Sequence, residues 1–215
     1  MKFEKTEVWG FEHAIRGMRN PLESWDKSDS CYIDKRFNDQ FHIGKNDLAL
    51  MQKLIKAGSE HRKFLRQIFV AVDITAPLYF FKELDTYKVG TVANSTSTMH
   101  KLASTPITID CFEMDDFEDC KDDSNVYVSA IWIESITRLE KLRQTYNATK
   151  DKRYWKELIR LLPESWLQKR TITMNYENIL NMYRQRKNHK LAEWSKSFCD
   201  WVKTLPYAEE LICLE

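Results

Sequence analysis

The chain has 215 residues with 33 basic and 32 acidic side chains, which suits one domain with a sizeable core and leaves no global field to draw it to nucleic acid or an anionic membrane. Aromatic residues make up 13% and there are only five Gly and five Pro, a composition that argues for a packed, largely helical globule and against a disordered chain. The five cysteines, Cys31, Cys111, Cys120, Cys199 and Cys213, never fall as Cys-x-x-Cys, and no apolar run approaches the roughly 20 residues that cross a bilayer, so no zinc site, disulfide framework or membrane span is expected. Met1 to Glu7 carries no apolar leader, and the expectation is a soluble protein of the cytoplasm.

Taken in order, Lys2 to Trp9 alternates weakly and predicts a short edge strand, and Phe11 to Met18 a short helix. Arg16 to Ser30 is dense in Arg, Asn, Ser, Asp and Trp, and Asn20-Pro21 disfavours helix at that junction. It reads either as a surface loop anchored by Trp25 or as a ligand-closing loop, with Arg16 or Arg19 on an anion and Trp25 as a stacking face. Asn46 is placed to cap a core helix through Ala57, with Gly58 just past its end. Gln67 to Ile74 is a β-rich run, and Thr75 and Pro77 read as the start of a helix that continues to about Lys88 and stops at Gly90.

From Thr91 to Thr98 come eight small residues, five of them Ser or Thr, that suit either the wall of a polar pocket or a solvated loop. Ile107 to Ile109 suggests a further strand. Seven acidic residues between Glu113 and Asp123 read as a solvated connection, because the alternating acids and Gly of a calcium loop are absent. Long helical periodicity runs from Asn125 to Tyr146, and again over Trp155 to Leu162 before Pro163. Another helix is expected from Asn175 to about Lys187, and a last one carries Leu191, Trp194, Phe198 and Val202.

No Gly-x-Ser-x-Gly, His-Glu-x-x-His, phosphate loop or Gly-x-Gly-x-x-Gly occurs, and His13, His42, His61, His100 and His189 lack metal-ligand spacing. What remains is a distributed polar set: the Ser/Thr stretch, Lys169 with Arg170, and Arg186. Brought together on one cleft, these would suit a phosphate and a planar heterocycle.

The order of features resembles the flavin-dependent thymidylate synthases. The likeness runs through Leu54-Ile-Lys-Ala-Gly58, Phe69 to Ile74 and Ala76-Pro77-Leu-Tyr-Phe, resumes at Leu162-Pro163, and keeps its spacing to Thr173-x-Asn175, Arg186 and Ala192-Glu193-Trp194. The family's motif Arg-His-Arg-x-x-Ser-x-Asn-Glu-x-Ser-x-Arg falls on Thr86 to Thr98, with Lys88, Thr91 and Thr96 at the Arg of its third position and its two Ser positions, and Thr86, Tyr87 and Thr98 at the first Arg, the His and the last Arg.

The resemblance implies an α+β single domain over residues 1–215, with a central antiparallel sheet flanked by long helices and a homotetrameric assembly. It implies a nucleotide site on Lys88, Thr91, Asn94, Ser95, Thr96, Ser97, Lys169, Arg170 and Arg186, with Arg186 on the pyrimidine as the catalytic candidate. It also implies FAD, for which His61, Arg62, Arg66 and Asn175 are the candidate contacts, and folate and NADPH where the family reaction is retained. Two readings stand side by side. One is a divergent enzyme that binds a pyrimidine deoxynucleotide such as dUMP and transfers a one-carbon group to it; the other is a non-catalytic nucleotide-binding or assembly protein that kept the fold and lost the flavin.

Overall fold

The structure is a computed structural model that describes residues 1–33 and 40–214. Strand β1 (Lys2–Trp9) is exposed along most of its length, as an outer strand is, and Gly10 at φ +102 turns the chain into α1 (Phe11–Arg19). After two 3-10 turns, Asn20–Leu22 and Trp25–Lys27, a hairpin forms from β2 (Cys31–Ile33) and β3 (Gln40–His42), with Cys31 opposite His42. Helix α2 (Lys45–Lys56) begins one residue before the expected cap. Asn46 is therefore inside it, and the Asp29 carboxylate takes the capping role, accepting from the Asn46 and Asp47 N–H groups at 2.9 and 3.1 Å.

Strand β4 (Phe69–Pro77) buries Val70, Val72, Ile74 and Ala76 on one face. The expected Thr75 cap lies within this strand, which stays extended through Pro77. Helix α3 (Leu78–Leu84) then satisfies its first donors on the Trp166 and Glu164 carbonyls at 3.1 and 3.2 Å. It ends short of Lys88 because Thr86 donates its hydroxyl to the Glu83 carbonyl at 2.7 Å, the acceptor a continuing helix would offer to Tyr87.

The small-residue stretch is not a loop throughout: it contains the exposed strand β5 (Val92–Ser95), and Ser97 caps α4 (Thr98–Lys101) by accepting from the His100 N–H. No strand forms at Ile107 to Ile109. The Ile107 N–H goes to the Glu140 carboxylate at 2.9 Å and a 3-10 turn, Ile109–Cys111, follows. The long periodic segments form α5 (Val128–Thr149) and α6 (Lys152–Arg160). Strand β6 (Leu167–Asn175) leads into α7 (Tyr176–Arg186), started by a reciprocal capping box between Asn175 and Asn178. The last expected helix forms, with a π-helical stretch, Glu193–Phe198, running directly into α8 (Cys199–Lys203), and a short α9 (Ala208–Leu211) follows beyond Pro206.

The four-stranded antiparallel sheet has the order β1-β4-β6-β5, which puts β1 and β5 on its edges. The chain divides into two compact units, and β4 and β6 each pass from one to the other between residues 73 and 74 and between 170 and 171.

The first unit, Met1–Lys2, Ile74–Thr86 and Asn94–Arg170, centres on Leu102, Ile107, Phe112, Leu139 and Leu158, with α5 packed along α6. Glu140 is its polar anchor. It takes two hydrogen bonds from Arg143 at 2.7 and 2.6 Å besides the Ile107 N–H, and the Arg143 guanidinium holds its carboxyl down at about 2.

The second unit, Phe3–Asp73, Tyr87–Ala93 and Thr171–Glu215, is an aromatic core. Tyr176 is fully buried, meets Phe11 edge-on at 5.6 Å and donates its hydroxyl to the Pro206 carbonyl at 2.7 Å, while Phe3 stacks on Trp201 at 4.8 Å. Among the described residues no helix is long and apolar enough to cross a membrane, and no group of His, Cys, Asp or Glu could hold a metal ion.

Candidate functional site

Arg186 lies in the last turn of α7, in the second unit, where its charge suits the negative end of the helix dipole. Its Nε donates to the Tyr87 hydroxyl at 3.1 Å, and the guanidinium carbon sits 5.0 Å from the centre of the Trp194 ring and 5.7 Å from that of Tyr87. The Tyr87 hydroxyl in turn donates to Gln185 Oε1 at 2.8 Å. A guanidinium set against two neighbouring rings and bonded to a hydroxyl cannot swing freely, and a planar, oriented fork is what bidentate recognition of a carbonyl or an anion requires. Trp194 is fully buried in the π-helical turn, a local geometry that often accompanies functional positions. Sequence reasoning named Arg186 and missed Tyr87 and Trp194. The available signal was Tyr87 at the motif's His position, since that aromatic ring brings a hydroxyl able to bond an arginine.

In the same unit, the turn from Tyr87 to Thr91 is tied to the start of α7. The Asn178 amide donates to the Val89 carbonyl at 2.7 Å, and the Thr91 hydroxyl to the Tyr87 carbonyl at 2.9 Å. Gly90 has φ +79, and a Cβ there would fall 2.8 Å from Asn175 Nδ2, so the turn needs glycine on two counts. Lys88 projects from this turn and is exposed.

The first unit holds Asn94, Ser95, Thr96 and Ser97 with Lys169 and Arg170. Asn94 and Ser95 are exposed on β5. The Thr96 N–H donates to the Lys169 carbonyl at 2.9 Å, and the Lys169 N–H to the Thr96 hydroxyl at 3.3 Å, which fixes Lys169 beside the Ser/Thr stretch. Arg170 is occupied structurally: Nη1 reaches Asp85 at 2.8 Å, Nε reaches Gln168 at 2.9 Å, and the guanidinium lies 4.1 Å from the Phe81 ring centre. Thr91 and Ser97 are likewise engaged as a turn brace and a helix cap.

Of the four residues expected around a flavin, three serve the protein itself. Arg62 and Arg66 both ion-pair with Glu177, a buried carboxylate on α7; Arg62 Nε is at 3.2 Å, and its Nη2 also bonds Asn181 at 3.0 Å. The Glu177 bond raises the Arg66 pKa. Asn175 is the α7 cap and is buried. His61 is exposed on the rim of a groove of about 1070 Å³ that also involves Leu50, Leu54 and Phe64. A dinucleotide cofactor needs donors for its pyrophosphate, and this set, with its cations turned onto Glu177 and its amide onto a helix start, does not fit one.

The segment from Arg16 to Ser30 also departs from expectation at Arg19, which is 4% exposed. The anion it meets is internal: Nε is 2.6 Å from Asp47, and Nη1 and Nη2 bond the Ser24 and Lys27 carbonyls. Asp47 also accepts from Ser28, from both the hydroxyl and the N–H of Ser30, and from the Asp29 N–H. Burial pushes its carboxyl up, but the hydroxyls of Ser30 and Ser28 and the Arg19 guanidinium overcome this and leave it below the usual carboxylate range. Arg16 and Trp25 are exposed, with the Trp25 indole N–H on Asn20 Oδ1 at 2.9 Å.

No family model matches the chain, and no curated protein matches it by sequence. Solved structures do. A crystal structure of the flavin-dependent thymidylate synthase ThyX from Helicobacter pylori, complexed with FAD and dUMP, matches over 100% of both chains with a TM-score of 0.70 and 18% identity. A second structure of Helicobacter pylori ThyX with FAD and dUMP matches over 99% of this chain and 97% of that one, with a TM-score of 0.71 and 16% identity. At that identity the likeness lies in backbone architecture: from end to end, this chain has the fold of the flavin-dependent thymidylate synthase ThyX.

Proposed function

We propose that this chain binds a pyrimidine deoxynucleotide of the dUMP class. The observation that carries the reading is the fixed Arg186 guanidinium, bonded to Tyr87 and stacked on Trp194, on a fold whose solved relatives hold FAD and dUMP. A pyrimidine presents carbonyl oxygens at the edge of a flat ring, and an oriented guanidinium can donate to them in the ring plane. Lys88, exposed on the turn beside Tyr87 in the same unit, is assigned to the phosphate as a point charge.

On the enzymatic reading, the chain also transfers a one-carbon group to that nucleotide, and the FAD, folate and NADPH that such a transfer draws on would have to be held by residues other than Arg62, Arg66 and Asn175. Arg186 would then orient the base for transfer. A specific observation favours the second reading, nucleotide binding without flavin: the nominated cofactor residues Arg62, Arg66 and Asn175 are engaged with Glu177 and the start of α7. Either reading is proposed for a homotetramer of single-domain chains in the cytoplasm, with no nucleic-acid or membrane partner.

The test is calorimetric titration of the full chain with dUMP. Arg186→Ala should weaken binding by about 10- to 100-fold, because leaving one side of a charged hydrogen bond unmade costs about 1.5–3 kcal/mol. Equal affinity in the variant would remove Arg186 from the site, and no uptake of dUMP by the wild type would sink the nucleotide reading.

A further inference from the structure

A second cavity, of about 260 Å³, opens in the second unit against α1, lined among others by Glu12, Arg16, Trp25, Tyr32 and Phe41. It shares no residue with the Arg186 cluster. Three of its walls are aromatic. Tyr32 and Phe41, paired across the β2–β3 hairpin, meet edge-on at 5.1 Å, and Trp25 is 49% exposed with its indole N–H already held by Asn20. The side that carries Ser28 and Ser30 is rigid, because the buried Arg19–Asp47 pair gathers both hydroxyls and the intervening backbone.

The charges in this cavity are arranged unevenly. Glu12 and Arg16 stand one helical turn apart on α1, a spacing at which opposite charges ordinarily pair. Here the Glu12 carboxylate accepts the Tyr32 hydroxyl at 3.0 Å, and among the described residues Arg16 has no ion-pair partner. The result is an aromatic recess with an exposed guanidinium beside it, on walls held in place by buried hydrogen bonds.

We propose that this recess is a binding site for a small planar aromatic anion, one or two fused rings bearing a carboxylate, which stacks against Trp25 while its carboxylate pairs with Arg16. The volume lies just under the lower bound of about 300 Å³ common for drug-sized ligands, which limits the guest to a mono- or bicyclic ring. Charge chooses the anion: the neighbouring carboxylate already has its hydroxyl donor, and the guanidinium suits an oxyanion.

The probe is 2-naphthoate, titrated calorimetrically into the full chain, with naphthalene-2-carboxamide as the uncharged isostere and cyclohexanecarboxylate as the non-planar anion. Binding of 2-naphthoate is expected to weaken about tenfold in Arg16→Gln, through loss of the charged contact, and by a similar factor in Trp25→Leu, through loss of the stacking face. Both controls should bind correspondingly more weakly. Absence of 2-naphthoate uptake, indifference to either substitution, or equal binding of either control would overturn the proposal. Arg186→Ala should leave 2-naphthoate binding unchanged, so this site and the nucleotide reading succeed or fail separately; a loss in that variant would also count against a distinct site.

Discussion

Arg186 donates through Nε to the hydroxyl of Tyr87 at 3.1 Å, although 99 residues separate the two in sequence. The hydroxyl donates its own hydrogen bond to Gln185 Oε1 at 2.8 Å, so Tyr87 works as a bracket that fixes the direction of the guanidinium. The bracket suggests its own test. Tyr87→Phe keeps the ring and removes the bracket, and dUMP affinity is expected to fall about three- to tenfold with little change in melting temperature, since a net hydrogen bond contributes about 0.5–1.5 kcal/mol. Affinity equal to wild type would show that Arg186 does not depend on Tyr87 for its orientation.

The Arg19–Asp47 pair is buried on both sides and ties down five residues of the segment before α2, Ser24, Lys27, Ser28, Asp29 and Ser30. Asp47→Ala should destabilise the protein by about 3–5 kcal/mol, because it leaves a buried guanidinium uncompensated. Denaturant unfolding measures this directly. A loss under about 1 kcal/mol would mean that water replaces the carboxylate, as at surface pairs.

Acid sensitivity should follow from Glu140 in the first unit. Its carboxyl titrates at about 2 in the folded chain against an ordinary 4.5, so its contribution to stability is complete above pH 4.5 and is lost as the pH falls towards about 2. Asp47, also lowered, acts in the same direction. Melting temperatures taken from pH 7 to pH 3 should therefore fall more steeply for the wild type than for Glu140→Gln. Parallel curves would exclude Glu140 as a source of the acid limb.

Gly90 should not tolerate a side chain. Gly90→Ala is expected to cost about 1–2 kcal/mol for the left-handed backbone alone, with more from the crowding of Asn175. Unfolding by urea with unchanged midpoint would show that the turn can relax away from α7.

Flavin uptake separates the two functional readings. With Arg62 and Arg66 on Glu177, purified protein incubated with FAD and passed over a desalting column should emerge without the visible absorbance of an oxidised flavin. A retained stoichiometric flavin would restore the enzymatic reading.

Local chemistry alone determined a good deal of this protein. The β-rich run Gln67 to Ile74, the 3.6-residue periodicity of the long helices, Gly58 as a stop and Asn175 as a start are all legible because each depends on a few neighbouring side chains and on the backbone angles they allow. Tertiary structure decided the rest: that Asp29 caps α2 in place of Asn46, that the Ser/Thr stretch contains an edge strand, that Arg19 is occupied by Asp47 and Arg62 by Glu177, and that Arg186 rests against Tyr87 and Trp194. Those outcomes rest on partners distant along the chain, and a charged or hydroxyl side chain has no preference of its own between an internal partner and a ligand until the fold brings one of them within bonding distance.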